Sequence, residues 1–503
     1  MARLPLIGSD SHQWGALLNE FLRVAHHEDG TLRGVCPVVN VRDFRVDGNQ
    51  AGDDTDAIRA AVAALPQGGG ILFFPPGTYK FSGSSPIELS SGTWVLGSGR
   101  SSVIQTTGKL TIFVGRGVAG VRVSNLTFQM DMANDITNNF LTAVEFNEGT
   151  SDVMVDSCKF EALNVPTGDV TLHAVLAKAV GQLWVVNNWI SQMQIRMGSE
   201  ALALNLNVMG PAIIANNHII KPRNFAISAT QFTDAAEMLD LQICNNTIHD
   251  PAGQGGIYVG TDNDNRRIKS LKRIVIQGNI ITGRWSGEGD THTPKQSVAI
   301  LVRPAEVTEQ ILIAGNVIDK DGDDLVDVMG IKIEATTQPT TLRTLAITHN
   351  TIRNTRLWGI LVNGDQVASG LVIAHNTLDM TDGLTLRRGN IRDAIIQSNY
   401  LNGPGGLNLE TVREQDTIAP ILVRDNICTN SLGSGITLNA ETPNSWISAQ
   451  VISNTCHDNQ QYGVAEIGNP SQFEARYLDN DLRHNASAGM LVISAAVVRD
   501  NWI

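Results

Sequence analysis

The sequence predicts an all-β chain wound as a right-handed, single-stranded parallel β-helix with an N-terminal capping helix. The first observation is a phrase that keeps returning: an apolar residue, two variable ones, an Asn, one more variable, then an apolar residue. It runs through Asn188, Asn217, Asn246, Asn279, Asn316, Asn350, Asn376, Asn399, Asn426, Asn454, Asn480 and Asn501, at spacings of 29, 29, 33, 37, 34, 26, 23, 27, 28, 26 and 21 residues. A period in this range carried through so many copies is the mark of a solenoid. The second observation is a further strand after most copies, led by a small residue, as in Gly256-Ile257-Tyr258-Val259, Gly330-Ile331-Lys332-Ile333 and Gly359-Ile360-Leu361-Val362. Alternating apolar residues in runs of four or five, bounded by Gly, Asn and Asp, are half-buried strands. The third is the lack of any helix-length pattern between these strands, which excludes a βαβ fold. It also disfavours a leucine-rich repeat, which needs a helical segment in each unit.

A recurring Asn has a mechanical reason. At a sharp turn it bonds orphan backbone groups, and copies stacked about 4.8 Å apart bond each other. Two earlier copies are degenerate, with Leu126 and Cys158 at the Asn place. Cys428 and Cys456 fall on the same inward position of successive coils and are expected to stack as small apolar fillers rather than as a disulfide. His349 and His375 each precede a ladder Asn and are expected to stack as turn residues rather than to hold a metal.

Taken from the N-terminus, three regions are expected: a 1–35 extension or attachment segment, 36–110 with the capping helix and first rungs, and the 111–503 coil. Trp14-Gly15-Ala16-Leu17-Leu18-Asn19-Glu20-Phe21-Leu22, followed by His26-His27-Glu28-Asp29-Gly30-Thr31-Leu32, resembles a short N-terminal segment of phage tail fibres and tailspikes. Next, Asp53-Asp54-Thr55 offers helix-capping groups to an Ala-rich run. Gly68-Gly69-Gly70 then leads a buried strand that stops at Pro75-Pro76-Gly77-Thr78-Tyr79. This stretch resembles the pectate-lyase-like superfamily of β-helix proteins. The resemblance implies the fold and a role on polysaccharides, and no particular reaction. Trp94 to Arg100 looks superficially like a phosphate loop, but no helix follows it, so a tight turn between rungs is expected.

The composition, 42% apolar with 47 Gly and 17% charged residues, suits a soluble globular chain. A net charge of −13 argues against nucleic acid or an anionic membrane as a partner. No apolar run reaches membrane length, and the N-terminus lacks the apolar core of a signal peptide. The expected location is virion-associated or cytoplasmic, or outside the cell by a non-standard export route. No cofactor is expected.

On the strands led by small residues, alternate side chains face outward and successive rungs superpose. One outward column then reads Asn207, Thr230, Gly260, Arg303, Glu334, Asn363, Arg387, Glu410 and Asn439. Such a ladder of Asn, Arg and Glu suits a surface that holds sugar hydroxyls, the alternative being charges that merely pair across rungs. Glycosidases need two carboxylates, about 6.5–9.5 Å apart for inversion and about 5–5.5 Å for retention. Glu334 and Asp365 lie one rung apart, with a diagonal of roughly 8 Å if the chain stays extended, and form the leading catalytic pair. Arg303 is expected beneath Glu334, favouring its ionised form. Asp262, Glu288, Asp290, Asp323 and Asp327 are reserve carboxylates. Arg303, Lys332, Asn363, Arg387, Glu410, Trp285 and Tyr258 are the expected substrate-binding residues, with Trp285 in a long loop as a platform for a sugar ring. The alternating carboxylates of residues 319–324 resemble cation ligands but depart from the EF-hand pattern, so a solvated turn is expected and no metal.

The motifs that carry catalysis in relatives of this architecture are missing: the YGxDPH of alginate epimerases, the vWiDH of pectate lyases and the NTD…DD of polygalacturonase-like hydrolases. The function expected is therefore cleavage of glycosidic bonds in a polysaccharide or oligosaccharide by a carboxylate pair. Two alternatives stand beside it: elimination or epimerisation on uronates with Lys332, Arg303, Arg387 or Tyr258 in the proton-handling role, and a non-catalytic glycan-binding appendage. The expected assembly is a homotrimer, as is common for stacked solenoids.

Overall fold

Each coil of the chain makes three strands, and like strands of successive coils stack into three long parallel sheets. In this computed structural model they hold 18, 14 and 15 strands. The structure describes Asn19 and residues 37–503, apart from residues 47, 50–51, 84, 107–110, 132–138, 164–169, 192–202, 223, 232–235, 252–253, 262–267, 286–295, 322–326, 336–339 and 365–366. The architecture is the parallel β-helix that the repeat predicts. One α-helix, Thr55–Ala63, stands among the described residues.

The helix is tied to the first rungs by the acidic motif in front of it. The Asp53 carboxylate accepts the Thr55 N–H at 3.1 Å and the Ser82 N–H at 3.2 Å. The Asp54 carboxylate accepts the Lys80 N–H at 2.9 Å. Ile58 and Ala61 on the inner side of the helix are buried in the core. The tail-fibre-like segment lies outside the described residues, apart from Asn19.

The corner between the 18- and 14-stranded sheets carries the Asn ladder. Each Asn Oδ1 accepts both the backbone N–H and the side-chain amide of the Asn one coil earlier. For Asn316 these bonds come from Asn279 at 3.0 Å and 3.0 Å. Its own amide donates to Asn350 Oδ1 at 2.9 Å and to the Ile276 carbonyl at 3.0 Å. The chain of bonds starts where Asn188 Oδ1 accepts the Cys158 N–H at 3.0 Å and runs to Asn501. Beside each ladder Asn, the preceding residue has φ of 51–65°, left-handed backbone that turns the chain within two residues. His349 and His375 occupy two of these positions and stack at 4.9 Å between ring centres, as expected.

Inward residues fill the bore as an apolar stack. Phe128 and Phe160 lie parallel at 5.0 Å, and Phe113 meets Phe128 edge-on at 6.1 Å. Cys428 and Cys456 pair in register, both buried and both free thiols. The lead small residue is explained at Gly330, where a Cβ would lie 2.3 Å from the Gly359 carbonyl oxygen and 2.7 Å from Ile352 Cγ2. The strand enters the 15-stranded sheet too close to the next coil and to an inward Ile for any larger residue. Toward the C-terminus, the buried Glu466 carboxylate is fully partnered by the Tyr477 hydroxyl, the Ile493 N–H and the Ser494 N–H and hydroxyl.

Candidate active site on the outer face of the 15-stranded sheet

The outward columns of this sheet follow the predicted register. Gly260 pairs with Arg303, Glu334 with Asn363, Asn363 with Arg387, Arg387 with Glu410, and Glu410 with Asn439. A neighbouring column runs Tyr258, Leu301, Lys332, Leu361, Thr385 and Asn408. Strands Gln296–Arg303, Asp327–Glu334, Ile360–Asn363, Leu384–Arg387 and Leu407–Glu410 thus place both rows on one face, because their inward Ile, Val and Leu residues pack into the bore.

Charge pairing differs from expectation. Glu334 is met by Lys332, two residues back on its own strand, with Nζ 2.7 Å from the carboxylate. Arg303 instead turns toward the preceding rung, its guanidinium donating to the Tyr258 hydroxyl at 3.3 Å and lying 5.5 Å from the Tyr258 ring centre. The physical reason is local: residues two apart on a strand share a face, and the Tyr ring offers Arg303 both an acceptor and a π-face. Farther along, Arg387 pairs with Glu410 at 3.3 Å. Between these two ion pairs stands Asn363, whose Oδ1 is buried and meets no partner. An unpaired buried acceptor is unusual in a folded protein.

Two residues expected to hold sugar are placed otherwise. Trp285 is 1% exposed and belongs to the apolar core, so it covers the bore instead of forming a platform. Tyr258 faces outward as expected but is buried in a small apolar cluster with Phe225 and Leu301, its ring 5.0 Å from that of Phe225. Asp365, Asp262, Glu288, Asp290 and Asp323 lie outside the described residues. Asp319, at the start of the proposed turn, accepts the Asn354 amide at 2.8 Å. Among the described residues no group of three or more His, Cys, Asp or Glu could hold a metal ion.

Asp327 is described, and it has a companion that the sequence did not single out. The Leu357 N–H donates to the Val328 carbonyl at 3.1 Å, and the Asp382 N–H donates to the Leu357 carbonyl at 3.1 Å. Asp327 and Asp382 therefore stand at the same edge of the sheet, two rungs or roughly 9.6 Å apart along the backbone. The half-buried Trp358 belongs to the rung between them. Burial first, and then the charge of Asp327, push the Asp382 carboxyl above the ordinary range. A loop Asp within Thr381-Asp382-Gly383 carries no periodic signal, so only the fold brings it to Asp327.

Upstream, the face changes character. Asn207 and Thr230, expected in the outward column, are buried, and so are Asn205 and Ser228 of the neighbouring column.

Residues 38–200 match the family model described as rhamnogalacturonase A/epimerase, pectate lyase-like. Over that stretch the chain resembles a pectate-lyase-like domain. Similar curated proteins include alginate lyase 7 of Azotobacter vinelandii, 37% identical over 71 residues, which is 13% of this chain and 8% of that protein. Mannuronan C5-epimerase AlgE3 of the same organism is 30% identical over 110 residues, 19% of this chain and 6% of that protein. These matches thus span a small fraction of the relatives' own length. Among solved structures, PfbA, a surface adhesin of Streptococcus pneumoniae, superposes with a TM-score of 0.51 at 14% identity, covering 74% of this chain and 93% of that one. This likeness shows a shared β-helix.

Proposed function

We propose that the chain is a carbohydrate-active enzyme that cleaves glycosidic bonds in a polysaccharide laid along the outer face of the 15-stranded sheet. The observation that carries this reading is the row Lys332–Glu334, Asn363, Arg387–Glu410, with the unpartnered Asn363 oxygen at its centre. The match to a pectate-lyase-like model supports a polysaccharide substrate.

Hydrolysis uses one carboxyl as acid and one carboxylate as base. Glu334 with Asp365 is the leading pair. Asp327 with Asp382 competes, because two rungs put these groups near the upper end of the inverting range and Asp382 keeps its proton more readily than an ordinary Asp. The chain of sugar rings would then be held by Asn363 and the flanking cations. A second reading, elimination or epimerisation on a uronate, is supported by Lys332 beside Glu334 and by the alginate-related names of the curated relatives. In that reading Lys332 takes the proton next to the uronate carboxylate, while Arg303 and Arg387 counter the carboxylate charge.

The test is mass spectrometry of products from alginate, polygalacturonate and neutral glucans. Fragments carrying an added water from any of them support hydrolysis, and unsaturated fragments support elimination. Binding without fragments from any of these polymers would sink the enzymatic reading and leave the glycan-binding appendage.

A further inference from the structure

The other two sheets meet at the Asn corner, and the surface there is built differently from the Glu334 face. On the 18-stranded sheet one outward column runs in register from Trp184 through Ile213, Val275, Leu312 and Val372 to Ile395. A second column, two residues on, runs from Val186 to Gln397. Around the corner, on the 14-stranded sheet, a third runs from Trp189 to Tyr400. Over these rungs the three columns hold no Asp, Glu, Lys or Arg. Within the third, Ile280, Val317 and Tyr400 are 42%, 38% and 39% exposed. Outward places on this coil are not uncharged by default, since the 15-stranded sheet carries Arg303, Lys332, Glu334 and Arg387 on the same rungs. Charges border the strip and pair among themselves. Glu309 lies 3.6 Å from Lys272 and 3.4 Å from Arg343, on the strand halves that precede the first column. Arg424 closes the second column one rung after Gln397.

Seven rung steps make this strip roughly 34 Å long, and its three columns make it roughly 20 Å across. The area, roughly 700 Å², exceeds the roughly 300–600 Å² of the largest apolar patch on an ordinary monomer. It is close to the roughly 800 Å² that each partner gives to a stable interface. We propose that this strip is where a second copy of the chain docks. A surface with the same rung spacing lies flush along the whole length, and a second copy brings that spacing. The chain carries a net charge of −13, so two copies repel over most of their surfaces. A strip free of carboxylates lets them approach without like charges meeting. Its lack of cations gives an anionic membrane no electrostatic hold, and its aliphatic rows give a sugar few hydrogen-bond partners. A mostly apolar centre with paired charges at the rim is the anatomy of a protein interface. The proposal does not depend on the glycan reading of the opposite face.

The test is sedimentation of the full chain at about 10 μM, a concentration that fills a micromolar contact. Leu312→Asp and Ala346→Lys place a charge on the strip, and Thr437→Asp places one on the 15-stranded sheet as the control. Wild type and control are expected at twice the 54.2 kDa of one chain or more. Both strip variants, checked for folding by circular dichroism, are expected to run as single chains, their association weakened at least about a hundredfold. Cys244, a half-buried free thiol in the second column, reports the place of contact. Its alkylation, located by peptide mass spectrometry, should be slow in the assembled wild type and fast in the strip variants. A wild type of single-chain mass would overturn the proposal. So would an assembly that both folded variants keep, or a Cys244 equally reactive in the assembled wild type and the dissociated variants. If one variant fails to fold, the other carries the test.

Discussion

The two ends of each strand in the 14-stranded sheet meet opposite kinds of corner. At one, from Asn188 onward, the chain turns in two residues, with a left-handed residue followed by an Asn whose side chain bonds neighbouring coils. At the other, where strands pass into the 15-stranded sheet, connections vary in length and carry Asp327, Trp358 and Asp382. The first corner repeats because every copy must satisfy the same orphan backbone groups at the same stacking distance. The second is free to vary because its strict demand is a small residue in the first half of the strand or just before it, as at Gly330. Stability is therefore concentrated on one edge of the coil, while chemical variety collects on the opposite face.

The largest effect should come from breaking the ladder. Asn316→Leu strands the Asn279 N–H and amide, removes the side-chain donor of the Ile276 carbonyl and leaves the Asn350 oxygen with the residue-316 N–H alone, and should cost about 3–5 kcal/mol in denaturant unfolding. A cost as small as that of the outward Asn408→Ala would break the contrast between corner and face.

His173 gives the next largest effect. Its pKa in the folded state lies near 4, below the ordinary 6.5, so the folded chain binds fewer protons between those values. Stability contributed by this group is complete above pH 6.5 and is lost as pH falls toward 4, by roughly 3 kcal/mol. Melts of wild type and His173→Leu across this window should converge as pH falls; parallel curves would refute a buried neutral imidazole.

Gly330→Ala should cost about 1–3 kcal/mol, because the added carbon meets a backbone oxygen and an Ile side chain at once. Lys332→Met should change unfolding by less than about 1 kcal/mol, as partly exposed ion pairs do, while removing most turnover on the true substrate. Full turnover in that variant would remove Lys332 from the site in both readings.

Much of this was legible in the chain. The Asn period, the inward Cys pair and the stacked His residues follow from strict repetition, which sequence displays directly. The outward columns were equally readable, since strand alternation fixes which side chains share a face. Partners were harder. Arg303 had two neighbours within reach and chose the Tyr258 ring behind it, which alternation does not decide. Trp285 follows the strand Ile280–Gly283 and turns into the bore, where its large apolar ring is better placed than in water. Asp382 and His173 lie outside the repeated phrase, so only the stacked coils bring each to its partner.

The most direct test measures unfolding and cleavage together in Asn316→Leu and Glu334→Gln, on whichever polysaccharide the wild type cleaves. The account predicts that Asn316→Leu is strongly destabilised yet cleaves normally at a temperature where it is folded. It predicts that Glu334→Gln unfolds like the wild type and yields no product. Normal cleavage by Glu334→Gln, or a folded Asn316→Leu without activity, would contradict the division of the coil into a structural edge and a chemical face.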